Sequence, residues 1–123
     1  MAPTRKRVLL ADDDSDTTLM LKDRLESFGY EVTEVSNGRE ALEEINCERY
    51  GVVVMDVKMP EMDGLQTLGL IKRLHPTLPV IMITSIEENA AIAMAEGAQA
   101  CLIKPVDPDR LRAEVDRCFV AAP

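Results

Sequence analysis

Apolar residues in this chain fall into short continuous runs separated by segments of helical spacing. Residues 8–11, 52–55, 80–83 and 100–103 are apolar throughout, which predicts strands buried on both faces. Residues 30–35 instead alternate apolar and polar side chains, which predicts an edge strand with one face in water. The pattern therefore predicts five strands.

Each strand is followed by a segment with helical spacing. Residues 15–28 place Leu21, Leu25 and Phe28 at i, i+4 and i+7. Ser85 and Glu88 have capping-box spacing, which predicts Ser85 as the N-cap of the fourth helix. Because strands and helices alternate, the sequence predicts an α/β fold with a parallel sheet covered by helices on both faces. It predicts one domain over 1–123, with a core of about residues 7–120.

Composition and charge narrow the functional classes. Apolar residues make up 46% and charged residues 29%, typical of a soluble globular protein, and the net charge of −8 argues against nucleic-acid binding by this domain. No apolar run reaches the roughly 18 residues that a membrane span requires. The three cysteines form no CxxC pair, which indicates reduced thiols and a cytoplasmic location.

Polar side chains follow four of the predicted strands where each strand ends: Asp12-Asp13-Asp14, Asp56, Thr84-Ser85 and Lys104. Because the carboxyl ends of parallel strands lie along one edge of a sheet, we expect these groups to meet there. Carboxylates that close repel one another unless a hard cation such as Mg²⁺ lies between them. Together with a lysine and a hydroxyl, such a site suits phosphoryl transfer, and a carboxylate can be its covalent acceptor.

Each of these residues also has an ordinary structural interpretation. Asp14 and Asp16 suit the N-terminus of a helix. Thr84 alone would be a turn or cap residue, and Lys104 alone a surface charge. Pro60 predicts a turn that leads the chain away from the sheet after Asp56. The joint placement of the polar groups at the ends of different strands favours the phosphoryl-transfer hypothesis.

These motifs resemble the receiver domain of two-component response regulators over nearly the whole chain, from Val8 to about Val120. The most specific is Asp-x-x-Met-Pro-x-Met-Asp-Gly, from Asp56 to Gly64. The resemblance implies a flavodoxin-like, doubly wound (βα)5 fold with a five-stranded parallel sheet in the order 2-1-3-4-5. It places the first and fifth helices on one face and the second, third and fourth on the other.

The resemblance also implies the chemistry of the site. Asp13 and Asp56 would bind Mg²⁺, which Mn²⁺ can replace, together with the backbone carbonyl of Lys58, and Asp12 would act through a bound water. Asp56 would accept a phosphoryl group from the phosphohistidine of a histidine kinase or histidine phosphotransferase. The remaining two groups would contact that phosphoryl group, namely the hydroxyl of Thr84 and the ammonium of Lys104. The Lys104-Pro105 bond is commonly cis in this family.

The family resemblance further implies a signalling domain that catalyses its own phosphorylation and dephosphorylation and is not an enzyme in the ordinary sense. Its output would be a conformational shift on the face of the fourth helix, fifth strand and fifth helix. The partners would be the kinase or phosphotransferase and an effector domain in a longer chain. Phosphorylation-dependent dimerisation through the same face is a further expectation, whereas membrane or nucleic-acid binding is not.

Two positions modify these expectations. Cys101 stands where family members usually carry Tyr or Phe as a rotating switch, and a thiol is too small to be gated by movement of Thr84. Ile86 and Lys58 occupy positions that influence hydrolysis of the acyl phosphate in this family. Because Ile86 is bulky, we expect hindered access of water and a phosphorylated state that outlasts seconds.

Three alternatives remain open at this point. A phosphatase of the haloacid dehalogenase type also begins with an Asp-x-Asp motif, here Asp12 and Asp14. A calcium loop could begin at Asp12, although Thr17 and Asp23 replace the Gly and Glu that such a loop needs. A binding module could retain the fold without phosphorylation.

Overall fold

Strands and helices alternate along the described part of this computed structural model, which comprises residues 6–59 and 61–120. The strands are β1 (Arg7–Ala11), β2 (Glu31–Val35), β3 (Val52–Asp56), β4 (Val80–Thr84) and β5 (Ala100–Ile103). The helices are α1 (Ser15–Ser27), α2 (Gly38–Cys47), α3 (Gly64–Leu74), α4 (Glu87–Ala95) and α5 (Pro108–Val120). The turn predicted at Pro60 and both ends of the predicted 1–123 domain lie outside the described residues, so those boundaries stay a prediction.

The five strands form one parallel sheet in the order β2-β1-β3-β4-β5, which confirms the predicted topology. Every residue of the inner strands β3 and β4 is buried, whereas the edge strands β2 and β5 are only partly buried. This difference follows from position, because an inner parallel strand is covered on both faces by helices.

The sheet separates two apolar clusters. Val52 and Val54 of β3 face the cluster that contains the buried side chains of α1 and α5. Val53 and Met55 face the cluster that contains those of α2, α3 and α4. Because successive side chains of a strand point to opposite faces, one short apolar run serves both clusters. The predicted division of the helices between the two faces is confirmed.

The observed start of α1 agrees with the sequence-based prediction, whereas the observed start of α4 does not. Asp14 is the N-cap of α1, and its carboxylate accepts hydrogen bonds from the backbone N–H groups of Asp16 and Thr17. The helix excludes the calcium-loop alternative, since it begins at residue 15. The predicted capping box at Ser85 is wrong, because Ile86 is the N-cap of α4 and has no side-chain cap. The N–H of Ile86 donates instead to the hydroxyl oxygen of Thr84, and the helix starts one residue later than predicted.

Gly64 allows the start of α3 to lie against the end of β3. Its N–H donates to the carbonyl of Val57 at 2.7 Å. A Cβ atom at this position would lie 2.1 Å from the backbone oxygen of Asp56 and 2.7 Å from the Cα of Val57. Neither neighbour is a flexible side chain, so only glycine fits here.

We therefore expect opposite effects of alanine at the two α3 glycines. Gly64→Ala should lower the free energy of unfolding by about 1–3 kcal/mol, because overpacking must shift backbone. Gly69→Ala should raise it by about 0.5–1 kcal/mol, since a Cβ there would meet only a side-chain oxygen of Glu96 at 3.7 Å. Urea unfolding of both variants measures the two changes, and equal effects would contradict the close approach at Gly64.

Candidate functional site

The polar residues that end the strands meet at one edge of the sheet, as predicted. One carboxylate oxygen from each of Asp12, Asp13 and Asp56 lies within 4.8 Å of the other two. A cleft of about 580 Å³ opens beside them, and Thr84 and Lys104 line it. Residues separated by up to 92 positions (from 12 to 104) are therefore neighbours in the fold.

Asp56 is held from two sides. Its side chain is only 4% exposed. One oxygen, Oδ1, accepts a hydrogen bond from the backbone N–H of Lys58 at 3.0 Å, and the other, Oδ2, accepts one from Nζ of Lys104 at 2.5 Å. Hydrogen bonds to an ionised donor are the shorter and stronger kind, so the carboxylate has a fixed orientation at the floor of the cleft.

Lys104 provides the positive charge of the site. Burial alone would lower the pKa of its ammonium group, but the hydrogen bond to Asp56 and the nearby negative charges outweigh burial and raise the pKa. The lysine therefore stays protonated at neutral pH. The cis peptide bond between Lys104 and Pro105, which the family resemblance implied, is present.

Asp12 carries a buried oxygen without a partner. Its Oδ1 accepts from the backbone N–H of Asp14 at 2.9 Å, whereas Oδ2 has no hydrogen-bond partner among the described residues. Burial, with a contribution from the charge of Asp56, raises the pKa of Asp12 to about 6. An unpaired buried acceptor is costly. Carboxylate oxygens with one acceptor unsatisfied fit a hard divalent cation such as Mg²⁺.

Thr84 lies beside the cleft but its hydroxyl turns towards α4. Its side chain is buried, and Oγ1 accepts hydrogen bonds from the N–H of Ile86 at 3.1 Å and from Nδ2 of Asn89 at 3.4 Å. Sequence reasoning missed Asn89. The predicted capping box placed Ser85 at the N-cap and therefore Glu88 at the third helical position, which Asn89 occupies because Ile86 is the N-cap.

Cys101 lies apart from the cleft. It is paired across the sheet with Met82 and packs, partly buried, against the cluster under α2, α3 and α4. Burial raises the pKa of its thiol, which keeps it uncharged. The side chain is a small apolar packing residue where a ring was expected in the family.

A doubly wound parallel sheet with an acidic cluster and a lysine at its carboxyl edge is typical of phosphoryl-accepting signalling domains. The family model described as the response regulator receiver domain matches residues 8–116, and the chain belongs to this family. Family membership also decides against the phosphatase alternative. Receiver domains are signalling domains of two-component systems, and they bind Mg²⁺ in an acidic pocket of this kind.

Curated relatives and solved structures agree with this assignment. The chain is 37% identical over 109 residues to the chemotaxis protein CheY of Thermotoga maritima, covering 86% of this chain and 91% of that protein. It is 39% identical over 114 residues to the transcriptional regulatory protein ZraR of Escherichia coli K12, covering 91% of this chain but 26% of that protein. The chain thus spans about a quarter of ZraR.

Among solved structures, the Francisella response regulator 1452 receiver domain matches with a TM-score of 0.90 and 31% identity, covering 94% of this chain and 98% of that one. Among the described residues, no helix has the length and apolar character needed to cross a membrane.

The raised pKa of Asp12 gives a pH prediction for the metal-free protein. We expect the Asp12 carboxyl to titrate near 6, and the Asp56→Asn variant to lower this value because it removes a neighbouring negative charge. Because the pKa of Asp12 is higher in the folded than in the unfolded chain, protonation of Asp12 stabilises the folded protein. An Asp in the unfolded chain titrates near 3.8, so this stabilisation is complete below pH 3.8 and is lost as the pH rises through 6.

Carbon-detected NMR of the Asp side chains follows this titration. Asp14 serves as an internal control, because hydrogen bonds from Thr17 lower its pKa. An Asp12 carboxyl that titrates near its ordinary value would contradict the burial of an unpaired oxygen.

Proposed function

We propose that this chain accepts a phosphoryl group on Asp56 from the phosphohistidine of a histidine kinase or histidine phosphotransferase, in a Mg²⁺-dependent reaction. The observation that carries the proposal is the placement of a buried Asp56 carboxylate between the Lys104 ammonium and an acidic cluster, at the floor of an open cleft. Family membership supports the same reaction.

The transfer itself exchanges one bond for another. A carboxylate oxygen of Asp56 attacks phosphorus, an O–P bond forms, the P–N bond to the donor imidazole breaks, and the leaving nitrogen takes a proton from solvent. Mg²⁺, or Mn²⁺ in its place, would neutralise phosphoryl oxygens. Its ligands would be Asp13, Asp56 and the carbonyl of Lys58, with Asp12 acting through a water.

The two other side chains have separate tasks in this proposal. Lys104 balances the charge of the acyl phosphate, which adds about −1.5 to −2 at neutral pH. Thr84 rotates its hydroxyl to donate to a phosphoryl oxygen. The domain also hydrolyses its own acyl phosphate, since attack of water on phosphorus returns inorganic phosphate and the free Asp56 carboxylate.

Phosphorylation would shift the population of conformations on the face of α4, β5 and α5. That face would contact an effector domain in a longer chain, a separate partner protein, or a second phosphorylated copy. We propose a cytoplasmic location, supported by the three free thiols. The transcriptional role in the name of ZraR belongs to a protein of which this chain matches only 26%.

Acetyl phosphate tests the acceptor directly. With Mg²⁺, the wild-type protein should gain the mass of one phosphoryl group, whereas the Asp56→Asn variant and a sample treated with EDTA should gain none. Asp14→Asn is the matched control, because asparagine preserves the helix cap at the same edge of the sheet. Intact-mass spectrometry reports the outcome. Phosphorylation of the Asp56→Asn variant would contradict the assignment, and a wild type that takes no phosphoryl group would favour the phosphorylation-independent binding module.

The lifetime of the acyl phosphate tests the role of Ile86. Ile86 lines the cleft and its side chain is 48% exposed. We expect the wild-type phosphorylated state to outlast seconds and Ile86→Ala to shorten its half-life roughly threefold, equivalent to about 0.7 kcal/mol of barrier. Ile92→Ala is the matched control, an equally exposed isoleucine on α4 outside the cleft. Release of phosphate measures both, and a wild-type half-life of seconds would contradict the expectation.

A further inference from the structure

The hydroxyl of Thr84 bonds to the first turn of α4 and to no other described group. Its oxygen accepts from the N–H of Ile86 at 3.1 Å and from the side-chain amide of Asn89 at 3.4 Å, and the hydroxyl donates to the carbonyl oxygen of Ile86 at an oxygen–oxygen distance of 3.5 Å. A hydroxyl oxygen has two lone pairs, so these two donors occupy its acceptor capacity. The proton is donated to the carbonyl oxygen of Ile86, so all the hydrogen bonds of this hydroxyl are made with the start of α4.

Thr84 caps the start of α4 from outside the helix, because its hydroxyl oxygen accepts from the N–H of the N-cap residue Ile86. In a capping box, the third helical residue reaches back to the N–H of the N-cap residue. Here the N-cap is Ile86, whose side chain cannot accept a hydrogen bond, and the third helical residue is Asn89. Thr84 supplies the acceptor for the N–H of Ile86 instead, and the Asn89 side chain donates to the same Thr84 oxygen. The backbone N–H of Asn89 bonds to the carbonyl of Ile86 at 3.0 Å.

The helix that depends on this cap is lightly held. All nine residues of α4 are described, and only Ala93 is buried. Segments with few buried contacts open or shift at a low cost in free energy. A change in the hydrogen bonds at the start of α4 therefore has to disrupt few packing contacts of this helix.

The proposed reaction requires Thr84 to turn away from this cap. Among the described residues, no hydrogen bond joins its hydroxyl to Asp56 or Lys104. A β-branched side chain has a few discrete χ1 rotamers, so a hydroxyl that turns towards the phosphoryl group leaves its present donors.

From this geometry we infer that Asn89 is a positioning residue that holds the Thr84 hydroxyl in the resting state and releases it on phosphorylation. This inference rests on the proposed function of Asp56 and Thr84. Release removes the cap from α4, so the signal passes from the site into this helix without an aromatic side chain at position 101. Because the bond between Asn89 and Thr84 is made only in the resting state, it stabilises that state, and its removal should favour the phosphorylated state.

The test uses beryllofluoride with Mg²⁺ as a mimic of the phosphoryl group, followed by NMR because the chain has no tryptophan. Asn89→Ala should lower the beryllofluoride concentration at half saturation roughly twofold to tenfold, the range expected for one hydrogen bond. Gln66→Ala is the matched control: it removes a side-chain amide from the same position of α3, where that amide bonds to no described residue, and should leave the midpoint unchanged.

A double-mutant cycle separates positioning from a general effect on the helix. In the Thr84→Val background, which lacks the hydroxyl, Asn89→Ala should no longer change the midpoint. The side-chain NH₂ signals of Asn89 should also move on addition of beryllofluoride in the wild type and hardly move in Thr84→Val.

Three outcomes would overturn the inference while leaving the proposed function intact. The first is an unchanged midpoint in Asn89→Ala. The second is a raised midpoint in that variant, which would mean that Asn89 supports the phosphorylated state. The third is that Asn89→Ala shifts the midpoint equally in the wild-type and Thr84→Val backgrounds. In each case the wild type responds to beryllofluoride and Asp56→Asn does not. A wild type that does not respond at all would instead contradict the proposed function.

Discussion

The ion pair between Lys104 and Asp56 is the interaction on which the functional edge of this protein depends. One ammonium group faces three clustered carboxylates, two of them buried, so the negative charge is only partly balanced. One carboxylate oxygen of Asp12 has no hydrogen-bond partner among the described residues, which places the uncompensated charge at this side chain. A hard cation would supply the missing charge and the missing partner together, at the site where we propose phosphoryl acceptance.

The fold places this site between closely packed inner strands and the lightly packed helix α4. The inner strands β3 and β4 are buried throughout, and Gly64 allows α3 to pack against the backbone of Asp56, so this residue is closely packed. Helix α4 has a single buried residue, and the N–H of its N-cap residue donates to the hydroxyl oxygen of Thr84. In the proposed mechanism, phosphorylation of Asp56 would therefore act through Thr84 on a helix that has little packing to hold it in place.

The sequence predicted those features that depend on local pattern and topology. Continuous apolar runs identified four strands, and alternation identified the edge strand β2. The parallel arrangement placed Asp12, Asp56 and Lys104 at one edge, since that follows from strand direction alone. The start of α4 could not be predicted, because Thr84 and Ser85 are both candidate caps. Which of them caps the helix depends on the direction in which the Thr84 side chain points. The bond from Tyr30 to Asp116, 86 positions away, could not be predicted either, since it requires α5 to pack against the segment between α1 and β2.

The most direct test of this account is a crystal structure of the protein with Mg²⁺ and beryllofluoride. The account predicts one Mg²⁺ bound by Asp13, Asp56 and the carbonyl oxygen of Lys58, and beryllofluoride on a carboxylate oxygen of Asp56 within hydrogen-bond distance of Lys104 and the Thr84 hydroxyl. Beryllofluoride on another residue, or a complex in which no cation contacts the acidic cluster, would contradict it.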